Sequence, residues 1–315
     1  MGYADLGSRE IIGRIFLALE ETQPPAWVTS IGMLINSDQE SETYRWLSAL
    51  PAMREWLGGR NANRLEVQEL IVRNKKFEAS LEVMRDELRR DKTDQIQLRI
   101  NELASRANQH WAKLLTETVE AGATTNSYDG TAFFGNAHAE GESGTQDNDL
   151  TGAALTGTTP TADEFEKAVF ECLEAMLGFK DAGGEPMNQG LSELTVMVPV
   201  TMFGAASKAM NDAVISTASG VRTNGLVNLA GYDMQLVANP RLSNQATFYA
   251  FRSDAAIKPY ILQSETTPQI EALAEGSDFA FNNDAHQYGV SKSCATAQAF
   301  GSTPLATSSV DRSSP

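Results

Sequence analysis

Apolar and polar residues alternate along this chain with a period that changes from stretch to stretch. Leu65 and Val67 alternate with Glu66 and Gln68, and Phe77, Ala79, Leu81 and Val83 alternate with Glu78, Ser80 and Glu82. A period of two predicts strands, and the break at Arg73, Asn74 and Lys75 predicts a hairpin that turns near Asn74. An isolated two-stranded hairpin is marginal in water, so this one is expected to lie on something, a neighbouring subunit being one candidate. From about Asp94 to Glu120 the period becomes helical. Ile96, Ile100, Leu103, Ala107, Trp111, Leu114 and Leu115 form one stripe, and Gln95, Glu102, Arg106 and Lys113 lie outside it. Such a helix would span roughly 40 Å, with Gly122 as its stop.

Thr161 and Glu164 form a T-x-x-E capping box. It opens a helix whose Phe165, Val169, Cys172, Leu173 and Met176 share a face and which ends at Gly178. Leu194 to Val198 reads as a strand stopped by Pro199, and Met202 to Met210 as a compact helix. Met234, Leu236 and Ala238 alternate in a strand, with Ala246 to Phe251 returning as its partner after Asn239-Pro240. Tyr260 to Gln263 and Tyr288 to Ala299 are further extended segments. Residues 1–54 read as an arm of short helical pieces broken at Pro24-Pro25 and Pro51. Trp27, Trp46, Trp56 and Trp111 all fall in the first 111 residues and are expected to pack on the body or on another chain. Gly130 to Thr161 reads as a long loop, and 301–315, rich in Ser, Thr and Pro, as a mobile tail.

Composition narrows the classes. At 315 residues the chain exceeds a single hydrophobic core and should carry lobes or excursions. No stretch reaches the ~20 uninterrupted apolar residues of a membrane helix, and the expectation is a soluble protein. The N-terminal apolar patch at Ile11 to Leu17 is interrupted by Arg14 and has no cleavage site after it, which argues against secretion. Two cysteines suit a reducing compartment and structural burial. The net charge of −16 is concentrated between Glu120 and Glu193, where 14 acidic residues face only Lys167 and Lys180. The basic residues upstream are interleaved with carboxylates, so no phosphate-gripping cluster forms.

Candidate chemistry is sparse. The chain has no G-x-S-x-G elbow, phosphate-binding loop, H-E-x-x-H or paired C-x-x-C. Asp129, His138, Glu140, Glu142, Asp147 and Asp149 gather hard oxygen ligands and one imidazole on one loop, but their spacing fits neither a calcium loop nor a zinc site. A metal-dependent hydrolase using that loop stays open as a minor alternative. His110 and His286, the latter close to Asp284, read as packed or solvated residues. No catalytic residue, metal or cofactor is assigned.

The remaining signal is the order of elements, which is similar to that of tailed-phage major capsid proteins of the HK97-type α+β fold. The chain resembles most the major head subunit family of Mu-like phages and prophages. The resembling stretches are KFEASLEV (Lys76 to Val83), YDGTAFFGNAH (Tyr128 to His138), the helix and GGEPMN connection (Thr161 to Asn188), LTVMVP (Leu194 to Pro199), PYILQSE (Pro259 to Glu265) and YGVSKSCATAQAF (Tyr288 to Phe300). The resemblance implies an N-terminal arm at 1–54 and an extended β-hairpin loop at 55–92. It implies a peripheral domain at 93–190, with a spine helix at 94–120, a flexible loop and a second helix at 161–178. An axial domain at 191–258, strands returning to the body at 259–300 and the tail at 301–315 complete the outline. It further implies a non-enzymatic shell subunit that forms hexamers and pentamers, encloses double-stranded DNA without sequence-specific binding, works with scaffold, portal and decoration proteins, and assembles in the bacterial cytoplasm into the virion. A cellular nanocompartment shell of the same fold is the alternative. Trp56, Arg73, Lys75, Lys76, Phe77 and Leu81 are the expected contacts between subunits. Lys75 and Lys76 also stand where some relatives of the fold carry a crosslinking lysine.

Overall fold

Two long strands lie at the middle of one sheet, and a short strand buried over five of its six residues lies inside the other. The computed structural model describes residues 8–47, 67–90, 95–127, 129–151, 155, 157–227, 229–299 and 306–310. In chain order these form α1 (Ser8–Glu21), α2 (Ala26–Ile31), β1 (Gly32–Asn36), β2 (Ser41–Leu47), β3 (Val67–Arg73), β4 (Lys75–Met84), α3 (Arg85–Arg90), α4 (Gln95–Ala121) and β5 (Asp149–Thr151). They continue as α5 (Ala162–Gly178), β6 (Glu193–Val198), a 3-10 turn at Val200–Met202, α6 (Phe203–Asn211), β7 (Val214–Thr217), β8 (Gly220–Thr223), β9 (Asp233–Ala238) and β10 (Thr247–Arg252). The chain closes with β11 (Tyr260–Leu273), α7 (Asp278–Asn283), β12 (Ala285–Gln298) and β13 (Ala306–Val310).

A four-stranded sheet has the order β1-β11-β12-β4. The 27-residue α4 covers one face of it. Near its start, Ile96, Ile100, Leu103 and Ala104 pack with Val83, Tyr288 and Val290 of the sheet and with Ile11 and Ile15 of α1. Two turns further on, Ala112, Leu115 and Val119 enter a second core with Val28, Ile31, Phe133, Phe134, Tyr249, Phe251 and Leu262. Each fully buried Ile or Leu contributes roughly 1.5–3 kcal/mol. One helix thus ties the four-stranded sheet to the rest of the chain.

The second sheet has the order β5-β13-β10-β6-β9. β6 is buried from Leu194 to Val198. Leu194, Val196 and Val198 face a core built with α5 and α6, and Met197 faces the core shared with α4. Burial on both sides explains why LTVMV is an unbroken apolar run rather than an alternating one. The capping box that opens α5 forms in both directions: the Glu164 amide donates to Thr161 Oγ1 (3.3 Å) and the Thr161 amide to Glu164 Oε2 (2.7 Å).

Several expectations are corrected. The alternating runs at 67–84 are strands, but they do not pair with each other as a hairpin. β3 pairs with β2, from Ser41↔Arg73 to Leu47↔Val67, and β4 pairs with β12, from Lys75↔Cys294 to Ala285↔Met84. Asn74 alone separates them, too few residues for a hairpin turn, so the chain passes from one sheet into the next. The extended two-stranded ribbon is therefore β2 with β3, and β4 belongs to the body. Residues 8–36 of the expected arm pack on the body: Ile11, Ile15, Val28 and Ile31 are buried, Trp27 lies against the second core, and β1 adds to β11 in parallel. α5 shares its core with β6, β10 and α6 rather than with the four-stranded sheet. β9 and β10 are not partners; they flank β6 on opposite sides. Within the expected mobile tail, 306–310 forms β13, paired with β10 and β5. No described helix is long and apolar enough to cross a membrane.

Candidate assembly surface

The loop after α4 holds the richest set of ionisable groups, and they do not converge. His138 Nδ1 and Asp129 Oδ2 lie 2.6 Å apart in a nearly buried pair. Asp147 instead accepts from the Asp149 amide (2.9 Å), and Asp149 itself lies in β5, paired with β13. The Glu140 amide donates to Ser143 Oγ (2.9 Å). No group of three metal-capable side chains occurs among the described residues. The loop is held by Asn148, whose Oδ1 accepts from the Gly135 amide (2.8 Å) and whose Nδ2 donates to the Phe133 carbonyl (2.8 Å). It thereby places Phe133 and Phe134 in the core beneath α4, so a segment expected to be a flexible loop is a packed one. His286 is buried, with Nδ1 3.4 Å from the Tyr288 hydroxyl, while Asp284 turns away to Arg85 (3.3 Å). That pair is not brought together.

Much of the acidic stretch is likewise engaged within the fold. Glu120 Oε1 accepts from the Ser243 and Asn244 amides at 2.6 and 3.2 Å. Arg222 of β8 reaches Asp163 (2.7 Å) and the nearly fully buried Glu166, holding the β7–β8 hairpin against α5. Glu166 also accepts from the Gly225 amide (2.6 Å). Hydrogen bonds from Lys167 and Arg222 hold the Asp163 carboxyl below its ordinary range.

Several large apolar side chains are exposed. Phe281 on α7 is 89% exposed, Val221 on β8 71% and Ile71 on β3 60%; Val214 of β7 and Phe16 and Leu17 of α1 are also exposed. Singly scattered apolar side chains are ordinary on a protein surface; these are candidates for contacts with other chains because they lie on otherwise polar segments. Among the sequence-derived contact candidates, Arg73, Lys75 and Lys76 are exposed. Phe77 is half-buried against the His110 ring, with centroids 4.3 Å apart. Leu81 packs against the core of α1 and α4, so both make contacts within the chain. Trp56 lies outside the described residues. Lys75 and Lys76 sit in β4 at the root of the ribbon, opposite Cys294 and Ser293. Sequence reasoning missed Phe281, Val221 and Val214, because a single apolar residue in a polar neighbourhood has no period to reveal it.

Residues 12–162 match the family described as Mu-like prophage major head subunit gpT. The major capsid protein of Escherichia phage Mu is 30% identical over 114 residues, which make up 36% of this chain and 37% of that relative. The aligned segment is therefore little more than a third of the relative's length. Among solved structures, the procapsid of bacteriophage JBD30 has a TM-score of 0.54 at 19% identity, over 96% of this chain and 73% of its own. The mature capsid of bacteriophage PhiM1 has a TM-score of 0.58 at 11% identity, over 93% of this chain and 89% of its own. These likenesses establish the phage capsid fold of the HK97 type. The family match starts inside α1 and ends at the first turn of α5, so it spans the ribbon, α4 and the packed loop. By that match residues 12–162 are similar to the Mu-like prophage major head subunit gpT family.

Proposed function

We propose that this chain is the major capsid protein of a tailed phage, self-assembling into the icosahedral shell that encloses double-stranded DNA. The observation that carries the reading is the family match over 12–162 on a capsid fold. The ribbon and the exposed apolar side chains are compatible with it, because a chain built to close with copies of itself leaves part of its surface to be covered by neighbours. In this reading β2 and β3 form the loop that lies on an adjacent subunit, α4 is the spine of the peripheral part, and the β7–β8 hairpin with α6 points toward the centres of hexamers and pentamers. Scaffold, portal and decoration proteins would be its partners, with assembly in the host cytoplasm. The subunit needs no catalytic centre for this role. An acidic subunit without a phosphate-gripping cluster suits a container that must admit and release DNA.

Electron microscopy of the purified chain is the test. Closed shells or capsomer-sized rings are the expected result; a monomer that persists at high concentration would overturn the reading.

A further inference from the structure

The ribbon poses a physical question, namely what fixes its angle on the body. It leaves β1 at one edge of the four-stranded sheet and returns into β4 at the other edge, so its root crosses β11 and β12. Among its described side chains Val72 is buried, whereas the neighbouring Ile71 is largely exposed. Apolar burial is non-directional, so one valine supplies adhesion without setting an angle. A groove of about 870 Å³ separates β3 from α4 and the end of β12, which leaves room for the ribbon to swing.

Direction comes instead from one side chain. Gln263 of β11 is fully buried. Its Oε1 accepts from the Tyr44 hydroxyl of β2 (2.7 Å). Its Nε2 donates to Asn74 Oδ1 (2.8 Å) and to the Val72 carbonyl of β3 (3.3 Å). A single amide thus holds both strands and the hinge residue between β3 and β4. Asn74 passes the constraint on: its Nδ2 donates to the Gln39 carbonyl (2.8 Å) and its amide to the Glu40 carbonyl (2.8 Å), on the other connection of the ribbon. Burial and the nearby Glu42 raise the Tyr44 pKa, keeping its proton available to donate. Only a side chain with both a donor and an acceptor at that length can do this: Leu has neither, Glu loses the donor and Asn is too short.

We propose that Gln263 is a positioning residue that sets the angle of the ribbon on the body, and through it the fit of one copy onto the next. The second half rests on the shell reading above; the first does not. Hydrogen exchange on the full chain separates them. In Gln263→Leu the amides of β3 should exchange about tenfold faster or more, as expected from losing two or three buried hydrogen bonds, while those of α4 and β6 keep wild-type protection. Gln263→Glu should fall between the two. Unchanged exchange in β3, or equal acceleration in α4 and β6, would overturn the clamp, the latter by showing a merely structural role. Microscopy of the same samples reads the second half: wild type should give shells of one diameter and Gln263→Leu a spread of diameters or open sheets. Uniform shells from a variant with a loosened ribbon would overturn transmission of the angle. A loosened ribbon with no shells from either chain would leave the clamp standing and sink the shell reading.

Discussion

At the scale of single residues, His110 shows how the packing of an aromatic pair becomes a pH dependence. Its ring meets Phe77 edge-on, and Lys292, Lys113 and Arg241 surround it. Burial first, and then those three cations, lower its pKa from 6.5 to about 4. The folded chain therefore keeps the ring neutral where the unfolded chain would protonate it. Between those two values the unfolded state binds the additional proton, so stability is full above pH 6.5 and declines as pH falls toward 4. The ring keeps partial contact with water, which limits the loss to about 1–2 kcal/mol. Thermal melts at pH 7.5 and 5.5 should show a larger fall for wild type than for His110→Phe. Equal falls would show that His110 titrates as it does in the unfolded chain. Tyr260 makes a second case. It is fully buried, and its hydroxyl has no hydrogen-bond partner among the described residues. Removing an unsatisfied buried hydroxyl should be neutral or stabilising by up to about 1 kcal/mol, so Tyr260→Phe should melt no lower than wild type.

At the scale of elements, α5 and the ribbon mark what a sequence can and cannot disclose. The capping box at Thr161 and Glu164 was legible because both partners lie within one turn; Thr161→Ala should cost about 1 kcal/mol, read as a shift of the denaturation midpoint. The extent of α4 was legible for the same reason, its stripe being a local property. The ribbon was not, because alternation in β3 and β4 says which face a residue takes but not which strand it pairs with. Both runs are strands, yet their partners lie on other segments, β2 and β12. The β7–β8 hairpin shows a further limit, since nothing local links Arg222 to Asp163 and Glu166 some 60 residues earlier. Arg222→Ala leaves Glu166 buried and without its cation, which should cost about 2–3 kcal/mol. A variant as stable as wild type would show that solvent replaces the guanidinium at no cost.

At the scale of the whole molecule, the exposed apolar residues and the interior make opposite predictions under the proposed shell role. Leu115 is fully buried beneath the second sheet, and truncating it to Ala should remove about 2–5 kcal/mol of stability along with any assembly. Val221 differs. It lies opposite Ser216 in the β7–β8 register and so shares the outer face with Val214, while Ile215 faces inward. A surface substitution away from packed features usually changes stability by less than about 0.5 kcal/mol. Val221→Asp should therefore melt like wild type, with unchanged secondary structure. If the hairpin meets its counterparts around a ring, the same variant places like charges side by side and buries each without a partner, so rings and shells should be lost while the monomer stays folded. Sedimentation and melting of the two variants together decide the matter. Normal assembly by Val221→Asp would remove the hairpin's outer face from the contacts between copies, and a melting loss as large as that of Leu115→Ala would mean the hairpin's outer face serves the fold and not assembly.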